Sequence, residues 1–186
     1  FGLYALRLSP VWQAIPSEYW YTIGPFPTGF SPHKPLNEVR DAMERVFPPE
    51  REFNPDGCYE GADGRSVMWS YSAERAGDHA ECGVNFPYRC GIESTGVCYA
   101  RTVVVSPDTR SVDVVLGCDW WANLWVNGEV VESERPNEAC DIDGAQFNAW
   151  KPIPARVELR SGDNVFLVKC HPGRGANWFT LRINDP

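Results

Sequence analysis

The chain has 186 residues, enough for one sizeable hydrophobic core and too few to favour a second full domain. Its formal net charge of −8 opposes binding to nucleic acid or anionic membranes, which need clustered Lys and Arg, and no apolar run approaches the ~20 residues of a membrane span. Sixteen Pro, 16 Gly and 8 Trp beside 43% hydrophobic residues point to short strands joined by many turns. A neutral ligand is indifferent to the negative charge; a strongly anionic one requires a local basic patch.

In chain order, Phe1 to Ser9 reads as a short strand and Pro10 to Pro16 as a connector. Residues 1–18 are therefore expected to be a tether or the end of a preceding domain, with a β-sandwich domain over residues 19–186. The start at Phe1 rather than Met implies a processed product or a domain cut from a larger protein. Residues 24–35, with four prolines and two glycines, are expected to form a long loop. Residues 36–47 are the one convincing helix: Leu36, Val39, Met43 and Val46 recur at helical spacing and Pro48-Pro49 end it. It is read as a short lid on the sandwich.

Turns follow at Pro55-Asp56-Gly57 and Asp63-Gly64, then a strand whose Val67, Trp69 and Tyr71 share a face. Asp56 and Asp63 are weighed as calcium ligands, but Asp-Gly is chiefly turn chemistry. Residues 73–97 read as an irregular insertion held by contacts or a disulfide among Cys82, Cys90 and Cys98. Tyr99 to Ser106 is a strand, turned by Pro107-Asp108-Thr109 into 112–116, where Val112, Val114 and Leu116 alternate. Ala122, Leu124 and Val126 alternate in turn, and Asn127-Gly128 supplies the two positive φ values of a type I′ hairpin. A polar loop spans 132–150; strands at 156–160, 165–170 and 178–183 close the chain, with Phe179, Leu181 and Ile183 on one face. Strands spaced by turns, with one short helix, long loops and no β-α alternation, argue for an all-β antiparallel β-sandwich.

Seven cysteines, at 58, 82, 90, 98, 118, 140 and 170, cannot all pair within one chain, so at least one thiol is free or intermolecular. No CxxC or HxxxH spacing marks zinc, and His33, His79 and His171 are scattered. Buried thiols or one to three disulfides account for them.

The order Trp20-Tyr21-Thr22-Ile23-Gly24-Pro25-Phe26-Pro27, then Tyr59-Glu60-Gly61 with Gly64 and Trp69, then LWVNGEVV, then DNVFLVKC, a Gly-containing loop and WFTLRI, resembles the galactose-binding-domain-like jelly rolls of bacterial glycoside hydrolases. The resemblance covers about residues 19 to 186. It implies a jelly-roll sandwich of carbohydrate-binding-module type, a non-catalytic role beside a carbohydrate-active enzyme, and glycan recognition by loops at one end. Extracellular or periplasmic localisation goes with such a role. Relatives carry paired acids or Asp-Gly before the strand leading into the Asn-Gly turn. Here Asp119 is followed by Trp120 and Trp121, which speaks against a calcium site built on paired acids; no cofactor is required, and a structural calcium stays open.

A sugar presents an apolar C–H face and a hydroxyl edge, so a binding site needs an aromatic platform flanked by planar hydrogen-bonding groups. Trp120, Trp121 and Trp178 can supply the platform, and Asp119, Asn123, Arg174 and Asn177 the hydrogen bonds. The opposing reading is that these indoles cover the end of the core and the polar side chains satisfy loop backbone. Trp125 faces away from Leu124 and Val126 and is assigned to packing. Catalysis competes less well. Glycoside hydrolysis needs two carboxylates flanking a bond, whereas Glu132, Glu134, Glu138, Asp141 and Asp143 crowd one polar loop. The expected partners are a glycan and the parent protein's catalytic domain, with no nucleic acid and no membrane. The alternative is a scaffold sandwich that packs on the hydrolase without binding sugar.

Overall fold

The computed structural model describes residues 3–5, 12–28, 41–71, 83–86, 90, 96–118, 121–131, 147–148, 154–171 and 177–184. Its strands are β1 (Leu3–Ala5), β2 (Gln13–Ala14), β3 (Tyr21–Phe26), β4 (Cys58–Glu60), β5 (Ser66–Met68), β6 (Ser70–Tyr71), β7 (Val84–Asn85), β8 (Val97–Ser106), β9 (Arg110–Cys118), β10 (Trp121–Val126), β11 (Glu129–Val130), β12 (Phe147–Asn148), β13 (Pro154–Leu159), β14 (Gly162–His171) and β15 (Trp178–Asn184). They build two facing sheets and a separate two-stranded hairpin, β4-β5. The larger runs β11-β10-β14-β8-β3-β6, with β12 beside β10 and β1 beside β8; the smaller runs β13-β9-β15-β2, with β7 beside β15. From β8 onward the long strands β8, β9, β10, β13, β14 and β15 step between the sheets, the larger first, returning to it at β10 and β14. That is a jelly-roll sandwich, antiparallel except where β1 runs parallel to β8.

Alternation places the core. On β9, Val112, Val114, Leu116 and Cys118 are buried while the residues between them are half-buried, and β13 alternates exposed and buried from Pro154 to Leu159. These side chains meet Ala122, Leu124, Val126, Phe166 and Val168 of the larger sheet in one hydrophobic cluster. The Asn127-Gly128 turn has φ values of 54° and 85°, as a type I′ hairpin requires. Asn127 also ties the hairpin to its neighbour. Its side chain accepts the Val165 N–H at 3.0 Å and donates to Asn164 Oδ1 at 2.9 Å.

The outer face of the larger sheet is covered as well. Ile23, Phe26, Val97, Tyr99 and Leu167 pack under Ala42, Phe47, Val67 and Trp69 in a second, aromatic-rich cluster. The cover comes from residues 41–69, including the β4-β5 hairpin.

Three expectations need correction. Residues 1–18 are not merely a tether, because β1 pairs with β8, β2 pairs with β15, and Tyr4 and Ile15 enter the core. Strands of two or three residues between prolines leave too short a period to read. Gly24-Pro25-Phe26 is not loop but the end of β3, where the register with β8 shifts between Ile23 and Phe26; a bulge tolerates a proline, which cannot donate to the ladder. The helix expected at 36–47 is helical at 41–44 and already non-helical at 45–47, with Val46 half exposed; residues 36–40 lie outside the described set. Pro48-Pro49 do not simply end it, since they open a further short helix, Pro48–Arg51, where a first-turn proline sacrifices no hydrogen bond. Among the described residues, Cys58, Cys90 and Cys98 are free thiols, and Cys118 and Cys170 are buried in the core between the sheets. Burial pushes the Cys98 thiol well up, and the neighbouring Cys90 adds to the shift. Cys82, Cys140 and most of the 73–97 insertion lie outside the described residues.

Candidate functional site

Strand register sets the outer face of the larger sheet in rows. Trp125 stands opposite Leu167, Leu167 opposite Arg101, Arg101 opposite Tyr21, and Tyr21 opposite Tyr71. The next row is Asn123, Lys169, Tyr99 and Ile23. Two cations thus sit on a covered face, and each is handled differently.

Lys169 is 0% exposed. Its ammonium has three donors and all are used: to Met43 O and Arg45 O at 2.7 Å each, and to Glu50 Oε1 at 3.0 Å. The same Glu50 oxygen accepts from the Tyr99 hydroxyl, and from the Phe47 N–H at 3.4 Å. The two carbonyls belong to the end of the 41–44 helical turn, where a cation satisfies backbone groups that lack intrahelical partners. Burial lowers the Lys169 pKa while Glu50 opposes the shift; burial, then Glu50, raises that of Tyr99. This network fastens the cover to the sheet.

Arg101 is half-buried, and its guanidinium carbon lies 4.0 Å from the Phe53 ring centroid. Burial lowers its pKa, with the opposing Tyr21 raising it. Beside it opens a cleft of about 490 Å³, between the cover and the hairpin tip, where Trp125, Phe53, Arg51, Glu52, Asn127 and Arg160 join Arg101 in the wall. Trp125 packs against the aromatic cluster and also lines this cleft, so the packing assignment covers only part of its role. An aromatic face beside planar donors is the chemistry sought from the sequence, at another place. The missed signal was Arg101, a charge within the apolar run from Val97 to Val105, paired by register to the row that holds Trp125.

Of the residues singled out in the sequence, Asp119, Trp120 and Arg174 lie outside the described set. Trp121 and Asn123 are on the outer face of the larger sheet; Trp121 is half-buried, with its ring edge-on to His171 at 5.9 Å, and Asn123 is 6% exposed. Asn177 and Trp178 belong to the smaller sheet's end. Asn177 is buried, its carbonyl accepting the Phe86 N–H at 3.0 Å, and Trp178 is half-buried beside the fully buried Phe179, hence on the sheet's outer side. Trp121 and Trp178 share one end of the sandwich, because Phe179 pairs with Cys118, three residues before Trp121. The acids of 132–143 lie outside the described residues. Asp63 sits in a turn at φ 58°, and among the described residues no group of three or more His, Cys, Asp or Glu is placed to hold a metal.

No protein-family model matches the chain, and no curated protein does. Solved structures do. A family 35 carbohydrate-binding module from Clostridium thermocellum matches with a TM-score of 0.32 and 19% identity over 47% of this chain and 69% of that one. A GH2 beta-galacturonidase from Eisenbergiella tayi matches with 0.46 and 10% over 92% of this chain and 24% of that one. A beta-glucosidase from Kluyveromyces marxianus matches with 0.42 and 13% over 72% and 16%. This chain therefore spans a quarter or less of the two hydrolases. Likeness at this level concerns strand arrangement, and the sandwich itself rests on the registers above.

Proposed function

We propose that the chain is a non-catalytic carbohydrate-binding module of a larger, extracellular or periplasmic carbohydrate-active enzyme. Its partners are a glycan and the enzyme's catalytic domain. The observation that carries this reading is the Trp125 cleft, an open hollow of about 490 Å³ in which an indole stands beside Arg51, Arg101, Arg160 and Asn127. The indole offers an apolar face to sugar C–H groups, and the arginine and amide groups offer planar hydrogen bonds to hydroxyls. A non-catalytic role fits the carboxylates here. Glu50 is already occupied by Lys169, Tyr99 and the Phe47 N–H, which leaves Glu52 without a second carboxylate in this wall to complete an acid–base pair.

The end-loop set, Asp119, Trp120, Trp121, Asn123, Arg174, Asn177 and Trp178, is a second subsite in this proposal. The part-buried rings of Trp121 and Trp178 at one end of the sandwich support it, with the buried Asn123 and Asn177 acting as supports rather than direct contacts. A glycan array followed by titration separates the two places. Trp125→Ala should weaken binding by about 1 to 3 kcal/mol, roughly 5- to 150-fold, if the cleft holds the sugar. Trp121→Ala should do so if the end loops hold it. Well-folded protein that binds no glycan, but retains affinity for a catalytic domain, would favour the scaffold role instead.

A further inference from the structure

We infer that the Trp125 cleft selects a carboxylate-bearing sugar, with Arg101 as the group that pairs its carboxylate; this rests on the glycan-binding reading above. Among the described residues Arg101 has no carboxylate partner: the ion pairs there are Arg110 with Asp108, Arg156 with Asp113 and Lys169 with Glu50. A half-buried guanidinium gives up part of its hydration, and a carboxylate partner offsets that loss. Here the guanidinium carbon lies over the Phe53 ring, 4.0 Å from its centroid. A guanidinium presents its N–H donors as a planar fork that can grip two carboxylate oxygens at once.

The surroundings favour the same charge. Arg51 and Arg160 line the cleft, and Lys169 lies directly behind Glu50. In the wall of the hollow, the three arginines outnumber the two carboxylates Glu50 and Glu52, and Glu50 is already paired with Lys169, on a chain whose formal net charge is −8. An anionic ligand meeting so acidic a molecule needs a local positive site, and this is one. Glu50 cannot serve as the missing counter-ion, since its oxygen already accepts from Lys169, Tyr99 and Phe47. Trp125, two strands away in the same row, is about 10 Å from Arg101 at the usual strand spacing, a distance that the two long side chains can narrow. A pyranose ring over the indole could then direct a ring carboxylate toward the guanidinium.

The test uses uronic-acid oligosaccharides and their methyl esters, which keep the sugar ring and remove the charge. By calorimetric titration, wild-type protein should bind the acid at least about tenfold more tightly than the ester, with the preference shrinking as salt is raised. Arg101→Gln should erase the preference, acid and ester then binding within about twofold of each other, whereas Trp125→Ala should weaken both. Arg101→Lys, which keeps the charge but loses the planar fork, should retain part of it. Equal binding of acid and ester by wild type would overturn the inference and leave the glycan reading intact. Absence of binding to acid, ester and neutral glycans alike would overturn both. An acid preference unchanged in Arg101→Gln and Arg101→Lys would overturn the assignment to this cleft.

Discussion

The two faces of the larger sheet bury side chains by opposite means. The inner face meets the smaller sheet with aliphatic and aromatic groups such as Ala122, Leu124, Val126, Phe166 and Val168, and stability there follows from area removed from water. The outer face buries Lys169 and Tyr99 and half-buries Arg101 and Trp125, under a cover that supplies carbonyls, a carboxylate and aromatic rings. A charge in that position is costly unless satisfied. Lys169 is satisfied by Glu50 and two carbonyls, whereas among the described residues Arg101 has the Phe53 ring and no carboxylate. In the proposal above, the contrast separates a structural cation from one that meets a ligand.

The largest effects should come from breaking either face. Phe166→Ala, fully buried between the sheets, should cost about 3 to 5 kcal/mol in denaturant unfolding through the cavity it leaves. Lys169→Met should cost a similar ~3 to 5 kcal/mol, because Glu50 and two backbone carbonyls lose their donor at once. The two should differ in kind. Loss of Lys169 frees the cover first, so limited proteolysis should cut near residues 41–51 under conditions where the Phe166 variant is cut no earlier than it unfolds globally.

A smaller effect concerns pH. Burial and Glu50 hold the Tyr99 hydroxyl protonated above the ordinary tyrosine range, so the folded state keeps a proton that the unfolded chain loses near pH 10. Its contribution is therefore complete below about pH 10 and falls as pH rises beyond it, by at most ~1.4 kcal/mol per pH unit. Tyr99→Phe should flatten that alkaline slope, and phenolate absorbance should show one tyrosine ionising only on unfolding. Smallest is Asn127→Ala, which removes the bonds to Val165 and Asn164 and should cost about 1 to 2 kcal/mol of stability in denaturant unfolding.

The inner face was legible in the sequence because its signal is local. Val112-Val114-Leu116 and Ala122-Leu124-Val126 announce their common face by period 2, and Asn127-Gly128 fixes the hairpin between neighbours. The outer face depends on which residues stand opposite one another across strands distant in the chain. Nothing near Arg101 indicates that it shares a row with Trp125 and Tyr21, and nothing near Lys169 indicates that residues 43, 45 and 50 will close over it. For the same reason the aromatic-and-polar chemistry of a sugar site was sought where Trp120 and Trp121 adjoin in sequence. The cleft brings equivalent groups together only through folding. The N-terminal strands were missed on other grounds, their two or three residues being too few to show a period.

The central claim, that the Trp125 cleft is where glycan binds, is tested most directly by an NMR titration that follows the indole N–H signals of the eight tryptophans and the Arg101 Nε–H as oligosaccharide is added. The account predicts saturable shifts of Trp125 and Arg101 with one common dissociation constant, while the fully buried Trp20 stays still. Shifts confined to Trp121 and Trp178, with Trp125 and Arg101 unmoved at saturation, would contradict it.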